Sequence, residues 1–257
     1  MTEAGAVAKE LVYGPPRLRM AFPGPNCSGC GGPLVAKIVM EALDELGVGG
    51  KAIGIMGAGC STMAFGMTMI DMALCAHGVA PATAAGLKHG NFDDVIIVTA
   101  QGDGDCAAIG AGYLVNSAAR SDKITVVMYN NGVYGTTGGQ LAPTTLLGMR
   151  TSTTPQGRKG SVEGYPLHMA EMVATIRGTA YSARGAVNSP KNLRLTKQYA
   201  KRALQKQIDN VGFSFLEVLC PCPVNWHLSP VDAMIWMEKN QLAEYPVAEF
   251  KNVDKID

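Results

Sequence analysis

Two polar residues that could bind a metal ion follow two stretches of buried-strand sequence. Asp103 lies three positions beyond the apolar run 95–100, and Asn131 lies two positions beyond the apolar run 124–129. Unbroken β-branched and apolar runs are typical of strands in parallel sheets, whose carboxyl ends form the ligand-binding edge. Carboxylate and amide oxygens suit Mg²⁺, which commonly takes phosphate oxygens as further ligands. The spacing therefore predicts a Mg²⁺–diphosphate site.

The residues around Asp103 favour a strand–turn–helix unit over a hairpin. Gly102 and Gly104 allow the backbone to approach a ligand closely. Asp-Gly is also a strong hairpin signal, but the Ala-rich segment 107–114 is not an alternating strand. We predict a helix over residues 106–120, whose N-terminus would favour an anion, and a βαβ unit with parallel strands.

The segment directly after Asn131 is rich in glycine and threonine. Residues 132–140 could offer backbone amides and hydroxyls to phosphate oxygens, and a main-chain carbonyl to a metal ion. A flexible loop is the alternative interpretation, but the position directly after Asn131 argues against it. We expect this segment to contact the diphosphate.

Cys27 and Cys30 form a Cys-x-x-Cys motif ahead of a predicted helix that has Pro33 in its first turn and ends near residue 46. A thioredoxin-like redox pair would need a strand immediately before the motif. The preceding residues 23–26 read Pro-Gly-Pro-Asn, which is not a strand. We therefore interpret the two cysteines as metal ligands.

Two further segments bring cysteine to the carboxyl ends of predicted strands. Cys60 follows the predicted strand 51–56, near a helix N-terminus that would stabilise its thiolate. Cys220 and Cys222 follow the predicted strand 213–219. Four thiolates, with one taken from the last pair, suit either structural Zn²⁺ or a [4Fe–4S] cluster. The local sequence does not separate these two possibilities.

His77 precedes Gly78 and a predicted small-residue helix over 82–88. It has two interpretations, a structural residue or a proton donor and hydrogen-bond partner to a substrate.

Farther upstream, four apolar residues are predicted to share one face of a helix and to pack in the core. They are Met63, Met67, Ile70 and Leu74.

Composition narrows the class of protein. The chain has 257 residues, which is enough for one large α/β domain. Its net charge is +1 and no basic run occurs, which argues against nucleic acid and membrane partners. We predict a single domain over residues 1–257 and a cytoplasmic location. The proline-rich residues 1–26 are predicted to be an extended arm, residues 151–164 a surface loop or lid, and residues 240–257 a polar tail.

Seven motifs together resemble the thiamine-diphosphate-binding β subunit of the 2-oxoacid:ferredoxin oxidoreductases, especially the 2-oxoglutarate and 2-oxoisovalerate branch. The resemblance covers roughly residues 20 to 250 and implies a parallel-sheet thiamine-diphosphate-binding α/β fold with helices on both faces. The motifs are CSGCG (27–31), GAGCS (57–61), HG (77–78), GDGD (102–105), NNGVYGTTGGQ (130–140), EGYP (163–166) and CPVNW (222–226).

The resemblance implies a role for each site residue. Mg²⁺ would be bound by Asp103, Asn131 and the carbonyl of Val133, and His77 would be catalytic. The ligands of a [4Fe–4S] cluster would be Cys27, Cys30, Cys60 and Cys222. Cys222 is preferred to Cys220 because the family's ligand directly precedes the Pro-x-Asn-Trp segment. The residues implied to bind thiamine diphosphate are Gly59, Ser61, Gly102, Asp103, Gly104, Asp105, Asn131, Val133, Tyr134, Gly135, Thr136 and Thr137.

The implied reaction is oxidative decarboxylation of a 2-oxoacid with coenzyme A, giving an acyl-CoA, CO₂ and reduced ferredoxin. The implied partners are an α subunit that supplies an activating Glu, γ and ferredoxin-like δ subunits of the same complex, and ferredoxin. Val79 stands where relatives usually have a basic residue, which argues against a substrate-carboxylate role near His77. Gly138 stands where some relatives have Lys, which leaves the substrate open. Two rival interpretations are a non-redox thiamine-diphosphate decarboxylase or ligase and a non-catalytic metal-binding module.

Overall fold

The computed structural model describes residues 24–90 and 94–256. Seven of its strands form one sheet and two form a small hairpin. In chain order the strands are β1 (Ala52–Met56), β2 (Asp71–Leu74), β3 (Ile96–Gly102), β4 (Thr125–Asn130), β5 (Val133–Tyr134), β6 (Gln140–Leu141), β7 (Thr179–Ala186), β8 (Phe213–Leu219) and β9 (Ala248–Asn252). The sheet order is β2-β1-β3-β4-β8-β7-β9, and β5 pairs with β6. All neighbours in the large sheet are parallel except β7 and β9.

Helices cover both faces of the sheet. They are α1 (Gly32–Glu45), α2 (Cys60–Phe65), α3 (Ala80–His89), α4 (Ala111–Ala119), α5 (Gly160–Glu163), α6 (Met169–Thr175), α7 (Pro190–Ile208), α8 (Pro223–Trp226), α9 (Pro230–Trp236) and α10 (Leu242–Glu244). Residues of α1, α2 and α7 pack in one apolar cluster with the strands, and residues of α3, α4 and α6 pack in a second. The predicted α/β fold with helices on both faces is confirmed.

The central strand β4 shows why an unbroken apolar run is required here. Val127 and Tyr129 belong to the cluster on one face, whereas Val126 and Met128 belong to the cluster on the other. Side chains alternate across a strand, so a strand covered on both faces has a nearly continuous run of apolar residues. All six residues of β4 are buried.

The βαβ unit around Asp103 is present, but its connection is not one continuous helix. Residues Asp105–Ile109 form a π-helical turn, and α4 begins after Gly110. The Gly110 amide donates to the Asp105 carbonyl at 2.8 Å. A Cβ atom on Gly110 would lie 2.7 Å from the Gly78 carbonyl oxygen. The wide turn therefore lets this glycine pack directly against the segment that carries His77.

Three other predictions of secondary structure are wrong, and a fourth falls mostly outside the described residues. The helical face of Met63, Met67, Ile70 and Leu74 does not exist, because α2 ends at Phe65 and Asp71–Leu74 pairs with β1 as an edge strand. The predicted tail 240–257 contains α10 and β9, which pairs antiparallel with β7. The predicted loop 151–164 includes the short helix α5. Most of the predicted arm, residues 1–23, lies outside the described residues.

No helix within residues 24–90 and 94–256 is long and apolar enough to cross a membrane.

An ion network around the fully buried side chains of Arg184 and Glu217 stabilises the half of the sheet that includes β7 and β8. The Arg184 guanidinium donates to Glu217 at 2.9 Å and to Glu171, and its carbon atom Cζ lies 5.0 Å from the centre of the Tyr245 ring. Glu217 also accepts a 2.6 Å hydrogen bond from Asn130, at the carboxyl end of β4. The network therefore extends to the edge of the sheet where the candidate site lies.

Candidate active site

A cavity of about 280 Å³ opens at the carboxyl ends of β1, β3, β4 and β8. Every residue implied to bind thiamine diphosphate lines it, and so does His77. Two of the four cysteines assigned to a cluster, Cys30 and Cys60, form part of the same wall, together with Cys220. Cys27 and Cys222 do not line the cavity. The predicted diphosphate residues and two predicted cluster ligands therefore share one space.

Asp103 lies at the base of this cavity with its side chain almost fully buried. Its Oδ1 atom accepts a hydrogen bond from the Gly104 amide at 3.0 Å. Its Oδ2 atom accepts from the Gly132 amide at 2.8 Å and from the Thr144 hydroxyl. Burial raises the pKa of Asp103 to about 7 in spite of these three donors. A nearby Mg²⁺ would offset that penalty, since an adjacent positive charge favours the ionised carboxylate.

Asn131 faces the same cavity from the end of β4. Its Oδ1 accepts a hydrogen bond from the Val133 amide at 3.0 Å, and its carbonyl accepts from the Trp226 indole at 3.0 Å. Gly132 has a φ of 72°, which favours glycine, and its amide reaches Asp103. An amide oxygen has two lone pairs, so Asn131 retains one for a metal ion. The donor set of carboxylate, amide and carbonyl oxygens fits Mg²⁺.

The turn between β1 and α2 presents small residues to the cavity. Gly59 has a φ of 142°, a backbone conformation that residues with a Cβ atom rarely adopt. Ser61 is buried, and within the described residues its hydroxyl has no hydrogen-bond partner. Buried polar atoms in folded proteins are normally paired. The Ser61 hydroxyl therefore fits a polar ligand in the cavity, such as an oxygen of the predicted cofactor.

His77 lies beside Asp105 on the opposite side of the cavity. Its Nδ1 atom is 2.5 Å from Asp105 Oδ1, a close polar contact that lacks the alignment of a hydrogen bond. Asp105 also accepts from the Gly78 amide, and from Gln101 Nε2 at 3.0 Å. Burial raises the pKa of Asp105. Asp105 thus lines the cavity as predicted, but its carboxylate holds the His77 segment in place.

The hairpin of β5 and β6 forms another wall. Tyr134 lies against Gly104, where an added Cβ atom would come within 2.3 Å of the ring. The Tyr134 hydroxyl donates to the Gly104 carbonyl at 3.2 Å. The Thr136 hydroxyl lies 3.0 Å from Cys60 Sγ, and Thr137 is exposed. This segment therefore contacts the Asp103 turn on one side and a cluster cysteine on the other.

The four cysteines assigned to a cluster lie near enough to one another for their charges to interact. Burial raises the pKa of Cys30 to about 11, with smaller contributions from the charges of Cys222, Cys60 and Cys27. Cys30 Sγ accepts from the Gly32 amide at 3.4 Å, and Cys222 Sγ accepts from Asn225 Nδ2 at 3.3 Å. Such donors stabilise thiolates.

The four thiols have the type of donor atom that an iron–sulfur cluster requires. Within residues 24–90 and 94–256, no three His, Cys, Asp or Glu side chains are placed to bind one metal ion together. In a [4Fe–4S] cluster each thiolate binds a different iron ion, so the four sulfurs need only surround a common space. Thiolates are the ligands that select iron–sulfur clusters or zinc. The set of four cysteines therefore fits the implied cluster.

Cys220 is buried at the junction of the cysteine segments. Its own pKa is raised well above the ordinary value by burial, with further contributions from Cys30 and other acidic groups. An added Cβ atom on Gly31 would lie 2.6 Å from Cys220 Cβ, and the Gly31 amide donates to the Pro221 carbonyl at 3.2 Å. Cys220 therefore packs beneath the Cys27–Cys30 turn.

Three residues around the site were not predicted. Thr144 donates to Asp103 from 41 positions along the chain, and nothing in its local sequence indicates this contact. The Tyr129 hydroxyl is buried at the cavity and has no partner within the described residues. Asn225 contacts both Cys222 and the Gly135 carbonyl. The CPVNW motif was the signal that could have indicated Asn225.

Comparisons with known proteins agree with this geometry. A profile of the family described as "Thiamine pyrophosphate enzyme, C-terminal TPP binding domain" matches residues 57–218. The chain is 39% identical over 226 residues to ketoisovalerate oxidoreductase subunit VorA of Methanothermobacter thermautotrophicus, covering 88% of this chain and 47% of that protein. It is 36% identical over 231 residues to 2-oxoglutarate synthase subunit KorB of the same organism, covering 87% of this chain and 76% of that protein. The chain thus spans about half the length of the VorA relatives.

A solved structure shows the same fold. It is the 2-oxoglutarate:ferredoxin oxidoreductase from Magnetococcus marinus with 2-oxoglutarate, coenzyme A and succinyl-CoA bound. The two chains align with a TM-score of 0.78 and 25% identity over 92% of this chain and 84% of that one.

The parallel sheet, the Asp103–Asn131 edge and the profile match define a thiamine-diphosphate-binding domain. The chain belongs to the family of thiamine-diphosphate-binding subunits of the 2-oxoacid:ferredoxin oxidoreductases. The predicted family is confirmed. So are the predicted cofactors, since thiamine diphosphate defines the family, and Mg²⁺ and a [4Fe–4S] cluster are typical of its complexes. The assignment of individual residues to each cofactor stays a prediction.

Proposed function

We propose that residues 1–257 form one cofactor-binding domain of a 2-oxoacid:ferredoxin oxidoreductase, which converts a 2-oxoacid and coenzyme A to an acyl-CoA and CO₂ and passes electrons to ferredoxin. The observation that carries this proposal is the shared cavity. Asp103, Asn131 and Ser61 line it together with Cys30 and Cys60. A decarboxylase without electron transfer has no use for cysteines at this position.

In the proposed site, Asp103, Asn131 and the Val133 carbonyl bind Mg²⁺. The Gly132 amide supports the arrangement because it donates to Asp103 directly beside Asn131. The buried Thr144 hydroxyl holds the second carboxylate oxygen of Asp103. Two donors therefore fix Oδ2, while Oδ1 accepts the Gly104 amide and retains a lone pair for the metal.

The cluster in this proposal is bound by Cys27, Cys30, Cys60 and Cys222. When bound, thiamine diphosphate supplies the electron-sink chemistry of decarboxylation, and the cluster receives the electrons. The chain's residues orient both groups. Thr136 contacts Cys60 at 3.0 Å within the hairpin that also packs on Gly104, so the walls of the two sites are continuous.

His77 is proposed to contact the substrate. Asp105 lies beside its Nδ1 atom, which favours the tautomer with the proton on Nδ1. That arrangement leaves Nε2 available to accept or hold a proton at the cavity. The His77 side chain is about one-third exposed, so a substrate can reach it.

We propose that the active complex contains a further subunit that supplies an activating Glu, as the resemblance implies. Further subunits and ferredoxin would complete electron transfer. Relatives named for ketoisovalerate and for 2-oxoglutarate both match this chain, so the substrate is proposed only as a 2-oxoacid.

The test is an anaerobic assay of viologen reduction with the complex assembled from this chain and its co-expressed partner subunits. We expect dye reduction that requires both a 2-oxoacid and coenzyme A, and none from this chain alone. Release of CO₂ from the 2-oxoacid without dye reduction would support a non-redox decarboxylase instead. Robust turnover by the isolated chain would contradict the need for a partner subunit.

A further inference from the structure

Asn225 connects the segment of the proposed cluster ligand Cys222 to the wall of the cofactor cavity. It lies in α8, one turn after Cys222. Its Nδ2 atom donates to Cys222 Sγ at 3.3 Å and to the Gly135 carbonyl at 2.9 Å. A side-chain amide nitrogen carries two hydrogens. Asn225 therefore has one hydrogen for each contact.

The hairpin packs closely on this side chain. Gly139 has a φ of 79°, and a Cβ atom there would lie 3.0 Å from both Cβ and Oδ1 of Asn225. The next residue, Trp226, donates from its indole nitrogen to the Asn131 carbonyl at 3.0 Å. One short helix therefore contacts a proposed cluster ligand, the hairpin wall and the proposed Mg²⁺ edge.

We propose that Asn225 is a positioning residue with two effects: its hydrogen bond to Cys222 raises the reduction potential of the cluster, and its hydrogen bond to Gly135 anchors the hairpin that walls the diphosphate site. This inference rests on the proposed function, because it requires Cys222 to ligate the cluster. Reduction adds negative charge to the cluster and its sulfur ligands, so an N–H donor to a ligand sulfur stabilises the reduced form. Hydrogen bonds to the sulfurs are among the factors that set cluster potentials.

The expected size of the effect follows from the weakness of an N–H···S bond. A hydrogen bond at the weak end of the usual range changes an equilibrium by roughly threefold. A tenfold change equals 59 mV for a one-electron couple, so threefold corresponds to roughly 28 mV. The loss of this bond should therefore lower the midpoint potential by about that amount.

The experiment is a redox titration of the assembled complex, followed by EPR of the reduced cluster, with Asn225→Leu and Asn225→Asp. Leucine has a similar size but no donor, and aspartate has no donor and adds a negative charge. We expect the midpoint potential to fall in Asn225→Leu and to fall further in Asn225→Asp. The matched control is Asn116→Leu, because Asn116 is exposed in α4 and its side chain donates to the Gly112 carbonyl one turn away in the same helix. The midpoint potential of the cluster in Asn116→Leu should equal that of the wild type.

A second measurement distinguishes the effect of Asn225 on the hairpin from its effect on the reduction potential of the cluster. The dissociation constant of thiamine diphosphate, measured by calorimetry with Mg²⁺, should rise severalfold in Asn225→Leu because the hairpin loses the bond to Gly135. Intact clusters with unchanged potentials in both variants would overturn the tuning effect. Loss of the cluster in both would show a purely structural role and would also overturn it. An unchanged dissociation constant would overturn the anchoring effect.

Failure of the proposed function gives a different result. If Cys222→Ser retains a complete cluster, the ligand assignment itself is wrong, whatever the Asn225 variants show. If Cys222→Ser loses the cluster and the Asn225 variants behave as the wild type, only the role of Asn225 is wrong.

Discussion

Replacing Asp103 by Asn should abolish most of the affinity for Mg²⁺ and thiamine diphosphate while the chain stays folded. The substitution keeps the shape of the side chain and removes its negative charge. Asp103 Oδ1 and Oδ2 accept hydrogen bonds from the Gly104 and Gly132 amides at 3.0 and 2.8 Å. Since the new amide has only one oxygen, one of these buried N–H groups loses its acceptor. The expected cost to folding stability is about 1–3 kcal/mol.

The loss of affinity for Mg²⁺ and thiamine diphosphate in Asp103→Asn should be larger than this loss of folding stability suggests. Partners that only orient a metal ligand are worth about 10- to 100-fold in affinity. Loss of a carboxylate that binds the metal directly should therefore lower the affinity at least about 100-fold, which equals about 2.8 kcal/mol of binding free energy. The measurement is calorimetric titration of cofactor-depleted protein with thiamine diphosphate at a fixed Mg²⁺ concentration, with the unfolding midpoint recorded for each variant.

Asp122→Asn is the matched control for loss of a buried negative charge. Asp122 is also almost fully buried, but it precedes β4 and pairs with Arg120 at 2.6 Å and His89 at 3.1 Å, at the other edge of the sheet. The Asp122→Asn variant should lose folding stability without any change in its affinity for thiamine diphosphate. An affinity in Asp103→Asn equal to that of the wild type would refute the proposed Mg²⁺ site. Equal losses of affinity in both variants would attribute the effect to destabilisation.

Two further predictions concern a ligand contact and pH. Ser61→Ala should weaken thiamine diphosphate binding severalfold in calorimetry with little change in stability, because its buried hydroxyl has no partner within the described residues; an unchanged affinity would argue against contact with the cofactor. Burial alone would raise the pKa of Glu171, but hydrogen bonds from Arg184 and its charge outweigh burial and lower it. Stability from this pair should be complete above the ordinary carboxyl range and be lost as pH falls through the lowered pKa. In denaturant titrations, Glu171→Gln should therefore be less stable than wild type at neutral pH and equal to it at low pH; a gap that persists in acid would contradict this.

The Asp103 region could be predicted from sequence because its information is local. The strand β3, the glycine turn and the following helix are adjacent in the chain, and β4 follows directly. The pairing of Gly102 with Tyr129 then places Asp103 beside the end of β4. The family resemblance added the roles of the individual residues.

Other features depend on contacts that sequence patterns do not show. The segment after Phe65 has apolar residues at helical spacing, but β1 provides a free edge, so Asp71–Leu74 forms a parallel strand there. The polar segment 248–252 similarly pairs with β7 as an antiparallel edge strand. Thr144 reaches Asp103 from the far side of the hairpin. Each of these depends on where a distant element lies, and a residue's own neighbours do not specify that.

The measurement that most directly tests the central claim is iron content, with EPR after dithionite reduction, in anaerobically purified wild type, Cys222→Ser and Cys220→Ser. Cys222 accepts a hydrogen bond from Asn225 beside the cavity, whereas Cys220 is packed beneath the turn of Gly31. We expect about four iron ions per chain in wild type and Cys220→Ser, and about three or none in Cys222→Ser. A complete cluster in Cys222→Ser with loss in Cys220→Ser would reverse the assignment, and an iron-free wild type would contradict the proposed redox site.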